Sequence, residues 1–263
     1  MSQTQPSLFI PHGGGPCFFM PDPRGTWTRM ESYLRGLADT LPELPRAILV
    51  ISGHWEAPAF SFTGGAHPPL VFDYYGFPPE TYRIEWPAPG APDLAERAAA
   101  MITDAGLPSA IDPERGFDHG VFVPLKVAFP EADVPVVQMS LHASLDPVIH
   151  LAAGRALAPL RDEGVLIVGS GMSFHNLRAM GDPRVAAPSG EFDRWLAGAA
   201  ESEPETRSAL LSQWQAAPWA RLCHPREEHL LPLMVAAGAS QNPATHDYAE
   251  VVLGGAVSAF RFA

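Results

Sequence analysis

Cysteine is nearly absent from this chain of 263 residues, which carries only Cys17 and Cys223, with no CxxC spacing. Two isolated thiols exclude a disulfide framework and read as packing residues. Basic residues are scarce too: 17 Lys and Arg against 29 Asp and Glu leave a formal net charge of −12. That balance argues against nucleic-acid backbones and anionic membrane surfaces, which attract positive proteins. No apolar run reaches the roughly 20 residues that a membrane span needs. The opening MSQTQPSLFIP lacks a basic n-region and a long apolar stretch, so no signal peptide is expected. A reducing cytoplasm is the default location, with neither nucleic acid nor membrane as a partner. Nothing in the sequence excludes a homo-oligomer.

What the chain does contain is core material and loops. At 46 % hydrophobic it has enough apolar surface to bury, which excludes disorder, while 29 Pro and 23 Gly announce many turns. Short runs that are apolar on both parities recur at 7–10, 47–51, 134–139 and 164–168, as in strands buried on both faces. Helical stretches lie between and after them, over 27–41 (Met30, Leu34, Leu37 and Leu41 at 3–4 spacing), 93–105, 147–162, 191–202 and 228–237. Alternating strands and helices predict an α/β fold, with a central, mostly parallel sheet flanked by helices. Residues 57–92, rich in proline and aromatics, read as an irregular excursion, with an edge hairpin possible within it, that either lines a pocket or is only a surface loop. Without a linker or internal repeat, 1–263 is expected to be a single domain.

Ten histidines are present, and they are not scattered at random. His12, His54 and His175 each follow a predicted strand in a Gly- or Ser-rich loop, where open α/β sheets bind ligands. His229 opens a predicted helix within His224-Pro-Arg-Glu-Glu-His229, and His119 lies in the loop Phe117-Asp118-His119-Gly120, where Asp118 is placed to orient a ring. Singly, a histidine beside an apolar strand is more often a hydrogen-bonded core residue. Several converging on one sheet edge reverse that weighting, because clustered imidazoles are costly to bury unless a metal takes their lone pairs. Neutral imidazoles suit Fe, Zn, Cu and Ni.

Other signals are weaker. Gly13-Gly14-Gly15 has no Lys-Ser/Thr after it, and GxGxxG is absent. Gly169-Ser170-Gly171 does not satisfy GxSxG, which leaves a Ser-His-Asp hydrolase a minor alternative. Glu227 and Glu228 are either metal ligands or acidic residues favoured in a helix's first turn. Glu56 is either a partner of His54 or a solvated charge. His67 and His246 read as surface loop residues, and His142 and His150 as structural.

Together, Pro11-His12-Gly13-Gly14-Gly15-Pro16, Ser52-Gly53-His54-Trp55-Glu56, Phe117-Asp118-His119-Gly120, Ser173-Phe174-His175-Asn176 and Glu228-His229-Leu230-Leu231-Pro232-Leu233 resemble the DODA-type extradiol aromatic ring-opening dioxygenases. These are relatives of the catalytic subunit of protocatechuate 4,5-dioxygenase and of the 4,5-DOPA dioxygenases. Each motif is modest; five in the right order are specific, and they span the chain from residue 7 onward. The resemblance implies a single catalytic domain of extradiol type with one divalent non-haem metal ion, Fe(II) in active dioxygenases. It implies His12, His54 and His229 as metal ligands, His175 as the acid/base histidine and His119 as a second active-site histidine. In the protocatechuate relatives the third ligand is a carboxylate. A histidine here, with Glu228 beside it and His224 nearby, makes Zn(II) a possible metal as well.

The chemistry agrees with those roles. Cleaving a catechol needs a metal with open positions for both hydroxyls and O2. A neutral histidine can take a hydroxyl proton near pH 7 and return it later, as expected of His175. His119 would stabilise the charge that develops on oxygen, and Asn176 would orient the site or meet a substrate group. The competing readings are a zinc-dependent hydrolase or isomerase on the same scaffold, and a metal-binding protein without turnover.

Overall fold

The computed structural model describes residues 3–263. Met1 and Ser2, which open the stretch expected to carry no signal peptide, lie outside them. One eight-stranded sheet organises the chain: β1 (Ser7–Pro11), β2 (Ala47–Ala57), β3 (Phe60–Thr63), β4 (Ser109–Asp112), β5 (Val136–His142), β6 (Val165–Gly171), β7 (Ala244–Val252) and β8 (Gly255–Phe262), in the order β4-β3-β5-β2-β6-β1-β8-β7. The central strands β5, β2, β6 and β1 are parallel. They are the runs that are apolar on both parities, and every residue of β1 and β6 is buried. β3 and β8 flank this block in the antiparallel sense, with β4 and β7 at the edges.

The helices are α1 (Thr28–Arg35), α2 (Pro92–Asp104), α3 (His119–Ala128), α4 (Pro147–Leu157), α5 (Ala186–Ala200), α6 (Pro204–Ser212), α7 (Ala220–Cys223) and α8 (Leu231–Gly238). Strand alternation places α3 and α8 on opposite faces of β6: Ser170 donates to the Gly120 carbonyl of α3, while Gly169 and Gly171 abut the backbone of Pro232 and His229. Both helices are sequestered, α8 completely and α3 at nine of its ten residues.

Several elements depart from the sequence expectation. The loop expected around His119 is instead the start of α3, which forms although Gly120 and Pro124 both oppose helix. Pro124 lacks the N–H that would bond the Gly120 carbonyl, and the Ser170 hydroxyl bonds that carbonyl instead. Burial of the apolar residues outweighs propensity. The helix over 27–41 ends at Arg35 and gives way to a short 3-10 turn at Ala38–Thr40. α5 starts five residues before the expected 191, since Pro188 falls in the first turn, where no N–H is needed. α8 begins at Leu231, so Glu228 and His229 lie in the turn before the helix and not in its first turn. The excursion at 57–92 holds β3 but no hairpin: β3 pairs with β5 and β4, and β5 separates it from β2. Beyond 237 no element is predicted, yet β7 and β8 form a hairpin. Its turn residues Leu253 and Gly254 both have positive φ, and the leucine hides the usual Asn-Gly signal.

Candidate metal centre

Three breaks in the regular structure deliver the central histidines. At the end of β1, His12 N–H bonds the Gly171 carbonyl at 3.2 Å, and the chain then turns at Gly13 (φ +78°), where any side chain would run into Cys17 Sγ. In β2, pairing with β5 jumps from Ile51↔Met139 to Glu56↔Leu141, so residues 52–55 bulge. Such a bulge re-aims side chains. Ser52 Oγ pins it by donating to Asp118 Oδ1 (2.7 Å) and accepting His54 N–H (3.2 Å). The third break is the turn before α8, where the His229 carbonyl accepts Met172 N–H at 3.0 Å. Gly53 and Gly171 let the backbones of β2 and β6 come close to this turn.

The three rings converge. Their centroids are 4.9 Å (His12–His54), 5.2 Å (His12–His229) and 4.6 Å (His54–His229) apart, and one nitrogen of each lies within 4.8 Å of the others. His54 Nε2 and His229 Nε2 face each other at 3.2 Å. Both nitrogens of His12 are buried and have no hydrogen-bond partner among the described residues. An unpartnered buried polar atom costs roughly 1–3 kcal/mol, so the cluster is unfavourable as it stands. A divalent ion among the three rings would relieve it, and this neutral nitrogen donor set suits such an ion.

Two more histidines flank the trio. His119, the first residue of α3, has its centroid 3.9 Å from that of His54, and His175 stacks on His229 at 3.4 Å. The loop that carries His175 is held by His175 N–H to the Cys223 carbonyl (3.0 Å) and by Asn176 Nδ2 to the Leu222 carbonyl (2.8 Å). Asn176 is thus tied to the backbone of α7.

Each flank contains a carboxylate. Glu228 Oε1 lies 3.0 Å from His229 Nδ1 and 3.3 Å from His175 Nδ1, behind both rings and away from the facing Nε2 atoms. Asp73 Oδ1 accepts from His119 at the ring Nδ1 (2.7 Å) and at the backbone N–H (3.0 Å), and its Oδ2 is 3.8 Å from His54 Nδ1. Asp73 was not foreseen. Its loop is registered on the segment that leads into α3 by Phe117 N–H to the Pro69 carbonyl and Val71 N–H to the Phe117 carbonyl, a pairing across 46 residues or more that leaves no sequence pattern.

Electrostatics keeps the trio available to a cation. Burial, then the neighbouring rings, holds His12 and His54 well below the usual imidazole range. Burial also lowers His229 to about 4, against the raising pull of Glu228. All three are therefore neutral at pH 7, with free lone pairs. Burial pushes Glu228 up, but the hydrogen bonds from His175 and His229 outweigh it and hold the carboxyl well below its ordinary range.

The remaining histidines stay outside the cluster. His224 is buried against Phe192 and Trp214, and its Nε2 bonds the Ser173 carbonyl at 2.8 Å. His150 bonds the Asp146 carbonyl through Nδ1 and accepts His142 N–H at Nε2, a structural role as expected. His67 is exposed. His246, expected in a surface loop, lies half-buried in β7, bonded to Ser258 and stacked on Phe260. Asp118 orients no ring: it is buried and bonds Ser52, Gln138 and Arg115. Glu56 pairs with Arg226 through two contacts of 2.5 and 2.6 Å and is no partner of His54. A cleft of about 480 Å³ opens beside the cluster, lined by His175, Asn176, Leu177, Arg178, Pro225, Arg226 and Glu228. Its volume suits a small single-ring ligand.

Comparison with known proteins gives a consistent picture. The family described as "Catalytic LigB subunit of aromatic ring-opening dioxygenase" matches residues 9–260. The chain is 42 % identical to dioxygenase tasH of Hapsidospora irregularis, over 89 % of this chain and 78 % of that one. It is 41 % identical to a 4,5-DOPA dioxygenase extradiol of Portulaca grandiflora (89 % and 85 % covered) and 36 % identical to one of Escherichia coli K12 (93 % and 90 %). The crystal structure of an uncharacterized Escherichia coli K12 protein is similar at a TM-score of 0.80 and 30 % identity, covering 98 % of this chain and 100 % of the other.

Proposed function

The chain belongs to the LigB family of aromatic ring-opening dioxygenases, and from that premise we propose that it is a metal-dependent extradiol dioxygenase that cleaves a catechol-type ring with O2. On this reading residues 1–263 act as one catalytic domain in the cytoplasm. The observation that carries the metal dependence is His12, a buried imidazole with neither nitrogen partnered, set against His54 and His229. His12, His54 and His229 would hold one non-haem ion, Fe(II) for oxygen chemistry. When bound, that ion offers positions at which the two hydroxyls of a catechol and O2 are held together.

The chain's own residues supply the proton traffic. Glu228 Oε1, 3.3 Å from His175 Nδ1, favours a proton on that nitrogen, which leaves Nε2 to take a hydroxyl proton from the substrate and return it later. His119 serves the opposite flank, where a donated hydrogen bond favours charge developing on a substrate oxygen. Glu228 stays ionised and keeps His175 oriented. The cleft beside His175 receives the rest of the substrate. The product is a muconic semialdehyde-type chain, opened beside the two hydroxyls, with both atoms of O2 incorporated.

Anaerobic loading with Fe(II), followed by a panel of substituted catechols and O2, tests this reading. One O2 consumed per catechol, with a yellow ring-opened product, is expected. Turnover with zinc alone and no O2 uptake would point to a hydrolase or isomerase. Tight metal binding without turnover would leave a metal-binding protein.

A further inference from the structure

The unassigned feature at the centre is Asp73, on the proline-rich excursion and opposite Glu228. Its Oδ1 accepts two hydrogen bonds from one residue, the ring Nδ1 and the backbone N–H of His119. The second bond satisfies an orphan donor in the first turn of α3, which Asp118, the residue in the capping position, does not serve with its side chain. The Tyr74 ring stands edge-on to His119 at 5.7 Å, and the Tyr74 hydroxyl donates to the Thr81 carbonyl at 2.6 Å, so the loop is braced from behind. Among the described residues, none forms a hydrogen bond with His119 Nε2. The same carboxylate faces Nδ1 of His54 through Oδ2 at 3.8 Å.

We propose that Asp73 is a positioning residue that fixes the proton of His119 on Nδ1, so that every proton His119 exchanges passes through Nε2 on the substrate side. A carboxylate that accepts Nδ1–H sets the ring's tautomer and orientation and stabilises the imidazolium when Nε2 is also protonated. The donor role of His119 requires that doubly protonated ring, because a neutral ring bonded to Asp73 carries no hydrogen on Nε2. The charge facing His54 Nδ1 favours the same tautomer there and leaves His54 Nε2 as the atom presented towards His229. The catalytic consequence rests on the proposed dioxygenase reading, whereas the tautomer assignment does not.

Long-range ¹⁵N–¹H spectra of the zinc-loaded protein test the tautomer, alongside kcat and KM of the iron-loaded enzyme at saturating metal. Wild type is expected to show His119 protonated on Nδ1, and Asp73→Ala to lose that signature. In Asp73→Ala kcat should fall about 10–100-fold, the range for removing an orienting partner, with KM changed less than about threefold. Asp73→Asn retains a carbonyl acceptor without the charge and should fall between the two in both readouts. It also serves if the alanine variant does not fold. An Nδ1–H signal that persists in both variants, or a kcat within about threefold of wild type once that signal is lost, overturns the proposal. If wild type cleaves no catechol, the dioxygenase reading fails and the spectra alone decide the role of Asp73.

Discussion

Replacing His12 by leucine should act in opposite directions with and without metal. His12 is 2 % exposed, and both of its ring nitrogens are buried and unpartnered. Each such atom costs roughly 1–3 kcal/mol, whereas an apolar side chain of similar volume at the same place is nearly neutral or stabilising. In chelator, His12→Leu is therefore expected to be at least as stable as wild type. With metal the order reverses. A ligand at one hundred times its Kd stabilises the native state by about 2.7 kcal/mol, which for a chain of this size corresponds to a rise of roughly 5–10 °C in Tm. Wild type should show that rise and His12→Leu should not. Differential scanning calorimetry in chelator and in excess Zn(II) measures both arms. A variant that melts several degrees lower in chelator, yet still gains stability from metal, would refute the argument that the trio is built around an ion.

Other outcomes follow from the same geometry. His175→Ala should keep stoichiometric metal, measured by elemental analysis, while turnover falls by about 10²–10⁴, the usual worth of a general base. Glu228→Gln removes the carboxylate shared by His175 and His229, so metal affinity, measured by chelator competition, should fall about 10–100-fold and kcat should fall with it. His150 is lowered to about 4, by burial above all, and its two hydrogen bonds suit only the neutral ring. Between about pH 6.5 and 4 the unfolded chain binds the proton that the folded chain refuses. Stability should therefore be full above 6.5 and decline as pH falls, by roughly 2 kcal/mol at pH 5 from this ring. Urea denaturation of wild type and His150→Phe at pH 7 and pH 5 should show a smaller loss in the variant.

The parts that could be read in the sequence are those in which local pattern and final environment agree. β1, β2, β5 and β6 announce themselves because each contains a short run of apolar residues at successive positions, as a strand buried on both faces requires. His12, His54 and His175 stood out because each comes just after such an apolar run, and His229 because it opens a predicted helix; the family resemblance, not the spacing, set His12, His54 and His229 apart as a group. α3 was not legible, since Gly120 and Pro124 carry the local signature of a loop and only a hydroxyl 50 residues away resolves the conflict. The role assigned to Asp118 went to Asp73 for a related reason. Adjacency suggested the neighbour, but Asp118 is turned into the bulge of β2, and the carboxylate that reaches the ring arrives from a loop paired 46 residues away in sequence. The β7–β8 hairpin was hidden by a leucine in a backbone conformation usually left to glycine or asparagine.

The wide spacing of the three central histidines along the chain has a kinetic consequence. His54 and His229 are separated by 175 residues, and β2 cannot complete its pairing until β5 and β6 have been synthesised. Contacts of such long range form slowly, because a large loop must close before they repay its entropy. A nascent chain ending anywhere before residue 229 lacks the third histidine of the trio, and a collapsed intermediate without the turn ahead of α8 does not yet bring it to the other two. With the proposed ligand set, capture of an ion would mark the end of folding rather than its beginning, and metal uptake during refolding should trail the burial of the central strands.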